Sequence, residues 1–229
     1  MKKIIFTLII SLFYLISFSQ KSAEVIYKAR LDLNYHFKGQ DETTLMYKKG
    51  REMMEKQNEL LNDLTYKLEF NNNESIYKWN KIIQDETVLD FDMSMAISIG
   101  GDGLYYRNIK QRYLLQAFEF ENNEKVRMTI PYNKIKWKIT NETSTYLGHK
   151  IIKAVSGKYH VAWFAPDIPV PFGPSQYGGL PGLILKYNYR AKWIEAIEIK
   201  WKKEPIKINR PTEGELKTEQ ELLEYYRSK

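Results

Sequence analysis

Apolar and polar residues alternate with period two along most of this chain. Val25, Tyr27, Ala29, Leu31 and Leu33 interleave with Ile26, Lys28, Arg30, Asp32 and Asn34, the pattern of a strand with one buried and one wet face. Leu64, Tyr66, Leu68 and Phe70 repeat it, as do Val126, Met128 and Ile130, then Ile135, Trp137 and Ile139. Near the C-terminus Leu183, Leu185, Tyr187 and Tyr189 form one apolar row, and Ile197, Ile199 and Trp201 form another after a break at residues 190–192. Turn signals separate the rows: Asn71-Asn72-Asn73, Gly100-Gly101-Asp102-Gly103, Asn122-Asn123, Gly148 and Ser156-Gly157. Short alternating strands with such punctuation predict an antiparallel meander, and the Gly100–Gly103 run reads as a hairpin turn.

A 3.6-residue period replaces the alternation in two places. From about Thr44 to Leu61, Met46, Met53, Met54, Leu60 and Leu61 fall near one face, which predicts a long helix after the first strand. Near the C-terminus, Thr218 with Glu221 and Thr212 with Glu215 have capping-box spacing. One amphipathic helix covers the apolar face of so many strands only if the sheet curls around it. The expected class is therefore mainly β (β-rich α+β): a strongly curved antiparallel sheet or incomplete barrel, one long helix after the first strand, and a short C-terminal helix. A two-sheet sandwich is the competing architecture.

The N-terminus adds a destination. Met1-Lys2-Lys3, an apolar run over residues 4–16 and Ser17-Phe18-Ser19 before Gln20 form a basic region, an apolar core and a small-x-small cleavage site. The run is shorter than the roughly 20 residues that span a bilayer. A cleavable signal peptide over 1–19 and one β-rich domain over 20–229 are expected, with export to the periplasm, outer-membrane association or secretion. The chain has no cysteine, which removes disulfides, thiolate chemistry and the lipidated cysteine of a lipoprotein. Its formal charge of +7 falls to +5 without Lys2 and Lys3. The remaining basic residues are dispersed among apolar ones, so a clustered nucleic-acid footprint is absent.

Candidate chemistry is sparse. The three histidines, His36, His149 and His160, are far apart and form no i, i+4 pair; a metal site would need the fold to unite two of them with Asp167 or Glu142. No metal or other cofactor is expected. A hydrolase would draw on Ser175, His160 and Asp167, but proline precedes the serine and the Gly-x-Ser-x-Gly elbow is missing. Asp90 with Asp92 and Glu195 with Glu198 read as solvated pairs. The 17 tyrosines and 5 tryptophans pack well on sheets. If the sheet is half open, they would also line an apolar groove for a lipid-like or peptide ligand.

The densest cluster of backbone-special residues is Gly173-Pro174-Ser175-Gln176-Tyr177-Gly178-Gly179-Leu180-Pro181-Gly182. Pro181 and Gly182 suit the central pair of a type II turn, with Gly182 at positive φ. Trp163, Phe164, Phe172 and Tyr177 give the preceding loop an aromatic lining. Here the chain resembles the GLPGLI family, whose hexapeptide stands unbroken at Gly179-Leu180-Pro181-Gly182-Leu183-Ile184. Trp137-Lys138-Ile139, Leu147-Gly148-His149, Ala162-Trp163-Phe164 and Asp167-Ile168-Pro169 resemble its other landmarks. The resemblance implies an exported protein of diderm bacteria, often of the group in which TonB-dependent outer-membrane import is prominent, and it implies no established reaction. The expected role is a non-enzymatic binding, carrier or accessory module. Its expected partner is an apolar or peptide ligand, or an outer-membrane receptor; an envelope hydrolase assembled from distant residues is the alternative. The ligand-binding or motif candidates are Trp163, Phe164, Asp167, Gly173, Pro174, Tyr177, Gly179, Pro181 and Gly182.

Overall fold

The computed structural model describes residues 22–81, 91–101, 103–119 and 124–227. The expected signal peptide, Asp90, Asp102 and the Asn122-Asn123 turn lie outside them. Among the described residues, twelve strands form one open sheet. They are β1 (Ser22–Leu31), β2 (Leu64–Phe70), β3 (Glu74–Lys81), β4 (Leu104–Asn108), β5 (Tyr113–Glu119), β6 (Lys125–Ile130), β7 (Lys138–Tyr146), β8 (His149–Ser156), β9 (His160–Ala165), β10 (Leu183–Tyr189), β11 (Lys192–Lys202) and β12 (Glu215–Lys217). Their order across the sheet is β12-β6-β5-β4-β3-β2-β1-β11-β10-β9-β8-β7. Every pairing is antiparallel except β12 with β6. Two meanders thus share the central β1–β11 seam.

The connectivity forces the curvature. β6 and β7 are ten strand intervals apart, about 48 Å along the sheet at the usual interstrand spacing. Residues 131–137 join them, and so short a segment reaches at most about 29 Å. The sheet must curl until its two ends approach, which is the incomplete barrel that the alternation implied.

The inner face carries the alternating apolar set. Val25, Tyr27, Leu64, Tyr66, Leu68 and Phe70 are all buried. On β10 a bulge between Ile184 and Lys186 breaks the expected Leu183, Leu185, Tyr187 row, so Ile184 stands opposite the core residue Phe164 and Tyr187 opposite Ala162. The expected row Ile197, Ile199, Trp201 is broken by a bulge: Tyr27 faces Ala196 while Ile26 faces Glu198. Ile197 is the extra residue and stands 46% exposed. Ile194 and Ala196 before it and Ile199 after it then share the inner face, because one inserted residue reverses the parity. Leu33 leaves the first strand for a short helix, α1 (Leu33–His36), capped by Asp32.

The long helix α2 (Leu45–Asn62) starts where expected, with Thr44 as its N-cap accepting from Tyr47 N. It buries Met54, Gln57 and Leu61, whereas Met46 and Met53 are exposed. Asn58 fastens it to the end of β1, accepting from Leu31 N at 2.7 Å and donating to Leu31 O at 3.0 Å. A helix the pattern did not announce, α3 (Phe91–Gly100), lies on the inner face and takes in Gly100, the first residue of the expected Gly100–Gly103 hairpin. Its sequence is apolar without a polar stripe, so it carries no amphipathic period. Two buried hydroxyls from the sheet and its terminal carbonyls satisfy one another. Tyr66 Oη donates to Ala96 O and Ile97 O at 3.3 and 3.1 Å, and Tyr77 Oη donates to Gly100 O at 2.9 Å. Tyr27 Oη donates to Ile184 O on β10.

The loop of residues 166–182 fills the rest of the concavity, burying Ile168, Val170, Phe172 and Leu180, with Phe172 against Phe70. The concave face is therefore packed rather than an open apolar groove. After β11 the chain crosses the outer face, where Ile206 and Ile208 cover Tyr106 and Leu115. The segment of Thr212 and Glu215 leads into β12 instead of a helix. Thr218 and Glu221 do form the capping box of α4 (Glu219–Arg227): Glu221 N donates to Thr218 Oγ1 at 3.2 Å, and Thr218 N donates to a Glu221 carboxylate oxygen at 2.7 Å.

Candidate functional site

The 166–182 loop is held to the sheet by its own backbone. Leu183 N donates to Ile168 O, Ile184 N to Phe172 O, and Gly179 N to Pro171 O. From β7's approach, Trp137 Nε1 donates to Gly178 O at 2.9 Å. From β4, Arg107 Nη2 donates to Gln176 O at 2.8 Å. The positive φ falls at Gly179 (86°) and not at Gly182, so the expected type II turn centred on Pro181-Gly182 is not formed. Gly182 is needed for a different reason. A Cβ there would overlap the Ala165 carbonyl oxygen and stand 2.9 Å from Phe164 Cδ2, where β10 begins beside β9.

The loop presents its tip, Ser175-Gln176-Tyr177, to the end of α3. Ser175 is a buried non-glycine residue at φ 53°, a conformation held by its surroundings. Between the tip, Gly100-Gly101 and the sheet residues Tyr105, Gln116 and Lys192 lies a cleft of about 340 Å³. Gln116 Nε2 donates to Tyr105 Oη at 2.7 Å on its floor, and Lys192 Nζ donates to Ser98 O at 3.1 Å on its rim. Tyr177 stacks on Tyr187 with ring centroids 3.6 Å apart. The Tyr187 hydroxyl lies 2.7 Å from His160 Nδ1. Burial pushes the Tyr177 and Tyr187 phenols up and the His160 imidazole down, so all three are neutral near pH 7. Lys192 is the only charged residue lining the cleft among the described residues, and no carboxylate or imidazole lines it.

The candidate residues scatter. Tyr177 lines the cleft, and Gly173 and Pro174 are buried just behind the tip. Phe164 belongs to the core, while Trp163, next to it on β9, takes the opposite face beside Lys153. Pro181 and Gly179 are exposed at the loop's far side. Asp167 is exposed and meets His149 Nδ1 at 2.7 Å. This is a histidine–carboxylate pair on the surface near the Leu147-Gly148 turn, outside the cleft. The hydrogen bonds that a Ser175–His160–Asp167 relay requires go elsewhere, because His160 Nδ1 meets Tyr187 and Asp167 meets His149. Among the described residues no group of three His, Asp or Glu side chains could hold a metal. No helix there is long and apolar enough to cross a membrane.

Sequence reasoning missed Tyr105, Arg107, Gln116 and Lys192. The period-two rule bears on one of them: if Leu104–Asn108 is a strand, Arg107 stands two residues after Tyr105 and on its face.

A family model described as a protein of unknown function (Porph_ging) matches residues 107–186. That span runs from Arg107 through the loop to β10 and contains the hexapeptide. No curated protein matches the chain. Two solved structures of PNGF-II, in different space groups, are similar to it at 19% identity, with TM-scores of 0.58 and 0.57. Each similarity covers 89% of this chain and 32% of that chain, so this fold corresponds to about a third of PNGF-II. The likeness is one of fold, and the match to the family of unknown function covers the stretch that builds the loop and its tip in the cleft.

Proposed function

We propose that this chain is an exported, non-enzymatic binding module, one β-rich domain over residues 20–229, whose ligand docks in the cleft at the Ser175–Tyr177 tip. The observation that carries the reading is the composition of that cleft. It offers hydroxyls, amides, backbone groups and the Lys192 ammonium without a described acid–base pair. Such a surface recognises hydrogen-bonding groups and cannot shuttle a proton at neutral pH. A peptide-like polar ligand fits it better than a lipid chain, because the apolar inner face is already filled by α3 and the loop. The same fold forming a third of a longer chain in PNGF-II supports a module reading. The GLPGLI hexapeptide supports export and an envelope setting, with an outer-membrane receptor as the alternative partner.

The test is native mass spectrometry of the protein purified gently from its own cells, comparing the wild type with Lys192→Glu and with Lys207→Glu as a surface control. A small ligand retained by the wild type and the control but lost from Lys192→Glu is expected. A bare wild-type chain, or a ligand held equally by all three, would overturn the cleft reading. A retained protein partner would replace the small ligand with a receptor.

A further inference from the structure

Two neighbouring hairpin turns carry exposed cations that no described carboxylate pairs with. β8 turns into β9 through residues 157–159, and β10 turns into β11 through Arg190-Ala191. Tyr189 pairs with His160, so the two turns lie side by side at one end of the sheet. The second turn is built against local preference. Arg190, the first of its two residues, has φ 55°, and a two-residue hairpin with positive φ there ordinarily takes glycine. An L side chain is disfavoured in that region, and such strain is a mark of functional positions. Asn188 fixes the turn's shape, its Nδ2 donating to Arg190 O at 2.9 Å and to Lys192 O at 3.0 Å.

The arginine is restrained yet open to solvent. Its Cζ lies 4.5 Å from the Tyr159 ring centroid and 5.5 Å from that of Tyr189, and the two rings meet edge to face at 6.2 Å. Lys158 Nζ stands 5.4 Å from the same Tyr159 centroid. Both cations are exposed and both tyrosines half-buried. Contact with a ring orients a guanidinium without taking an acceptor to it, so its N–H fork stays available. We propose that the paired turns bind a phosphate monoester, two of whose oxygens accept from the Arg190 fork while the third faces the Lys158 ammonium. Two cations match its charge of about −1.5 to −2 at pH 7. A planar fork beside a point charge suits a group with three free oxygens, whereas a carboxylate offers two oxygens and one charge. The site stands independently of the cleft proposal, since Lys158, Tyr159, Tyr189 and Arg190 do not line the cleft.

The experiment titrates the nitrogen-15-labelled chain with phenyl phosphate at constant ionic strength and follows the amide signals. Saturable shifts centred on residues 157–160 and 189–192 are expected. The singly charged analogues benzoate and benzenesulfonate should bind about tenfold more weakly. Arg190→Gly keeps the fold, because glycine suits that φ, and should bind phenyl phosphate about tenfold more weakly than the wild type. Lys207→Gln, which removes a cation elsewhere, should bind it as the wild type does. Flotation with phosphatidylcholine vesicles containing phosphatidic acid distinguishes the source of the ester. Retention that Arg190→Gly loses supports the site and assigns a lipid headgroup; phenyl phosphate binding without such retention supports it and assigns a soluble ester. No saturable shift with phenyl phosphate, equal binding of all the anions, or equal binding by the wild type and Arg190→Gly would overturn the site.

Discussion

Replacing Gly182 by alanine isolates what the hexapeptide does for the fold. The new methyl would overlap the Ala165 carbonyl oxygen, lie 2.7 Å from the Ala165 carbonyl carbon and press on Phe164 Cδ2. Ala165 is backbone, paired through the Leu183 register, and Phe164 is 1% exposed, so neither neighbour yields by rotating into solvent. Overpacking of this kind costs about 1–3 kcal/mol. The smaller unfolded-state entropy of alanine returns about 0.4–1 kcal/mol, leaving a net loss of about 1.3 kcal/mol at mid-range and a thermal midpoint lower by about 3–5 °C. Gly179→Ala is the contrast. Its φ of 86° strains any side chain, yet a Cβ there meets nothing within 4 Å, so about 1 kcal/mol is expected after the same entropy return. Urea unfolding of both variants, with hydrogen exchange at the Leu183 and Ile184 amides, tests the order. Those amides donate to the loop at Ile168 O and Phe172 O and should lose protection in Gly182→Ala first. If Gly182→Ala matches the wild type, or loses less than Gly179→Ala, close strand approach is not the reason for this glycine.

Tyr77→Phe keeps the ring, which stacks on Tyr66 at 6.0 Å, and removes the donor to Gly100 O; a loss of about 1–2 kcal/mol is expected in urea unfolding, and an unchanged midpoint would show that α3 is not held by its carbonyls. His160 lies among the Tyr177, Tyr187 and Tyr189 rings, and burial lowers its pKa from the ordinary 6.5. Its contribution to stability is fully present above that ordinary value and is lost as pH falls through it, because the unfolded chain then binds a proton that the folded chain refuses. His160→Gln should flatten stability against pH below about 6.5, and parallel wild-type and variant curves would refute the assignment.

Much of the architecture was legible in the chain. Period two in β1 and β2 marks the inner face, Thr44 and the Thr218–Glu221 pair mark helix starts, and too many apolar strand faces for one helix imply a curled sheet. These features are local, and local patterning is enough to specify them. α3 escaped notice because its sequence is apolar nearly throughout and has no polar stripe to give it a period. The bulge at Ile197 escaped because it is a single residue whose effect appears only in the partner strand's register.

The candidate site was less legible. The hexapeptide announced a tightly specified loop, but its physical demand at Gly182 is a close approach to Ala165, a residue 17 positions away, and no turn rule contains that distance. Sequence alone determined the β-rich class, the helix caps and the location of the special loop, since each depends on neighbours along the chain. Only the tertiary structure decided that the concave face is filled, that the cleft is polar, that His149 rather than His160 meets Asp167, and that Arg190 lies against Tyr159. Those outcomes depend on which distant residues share a small volume, and a one-dimensional pattern does not carry that information.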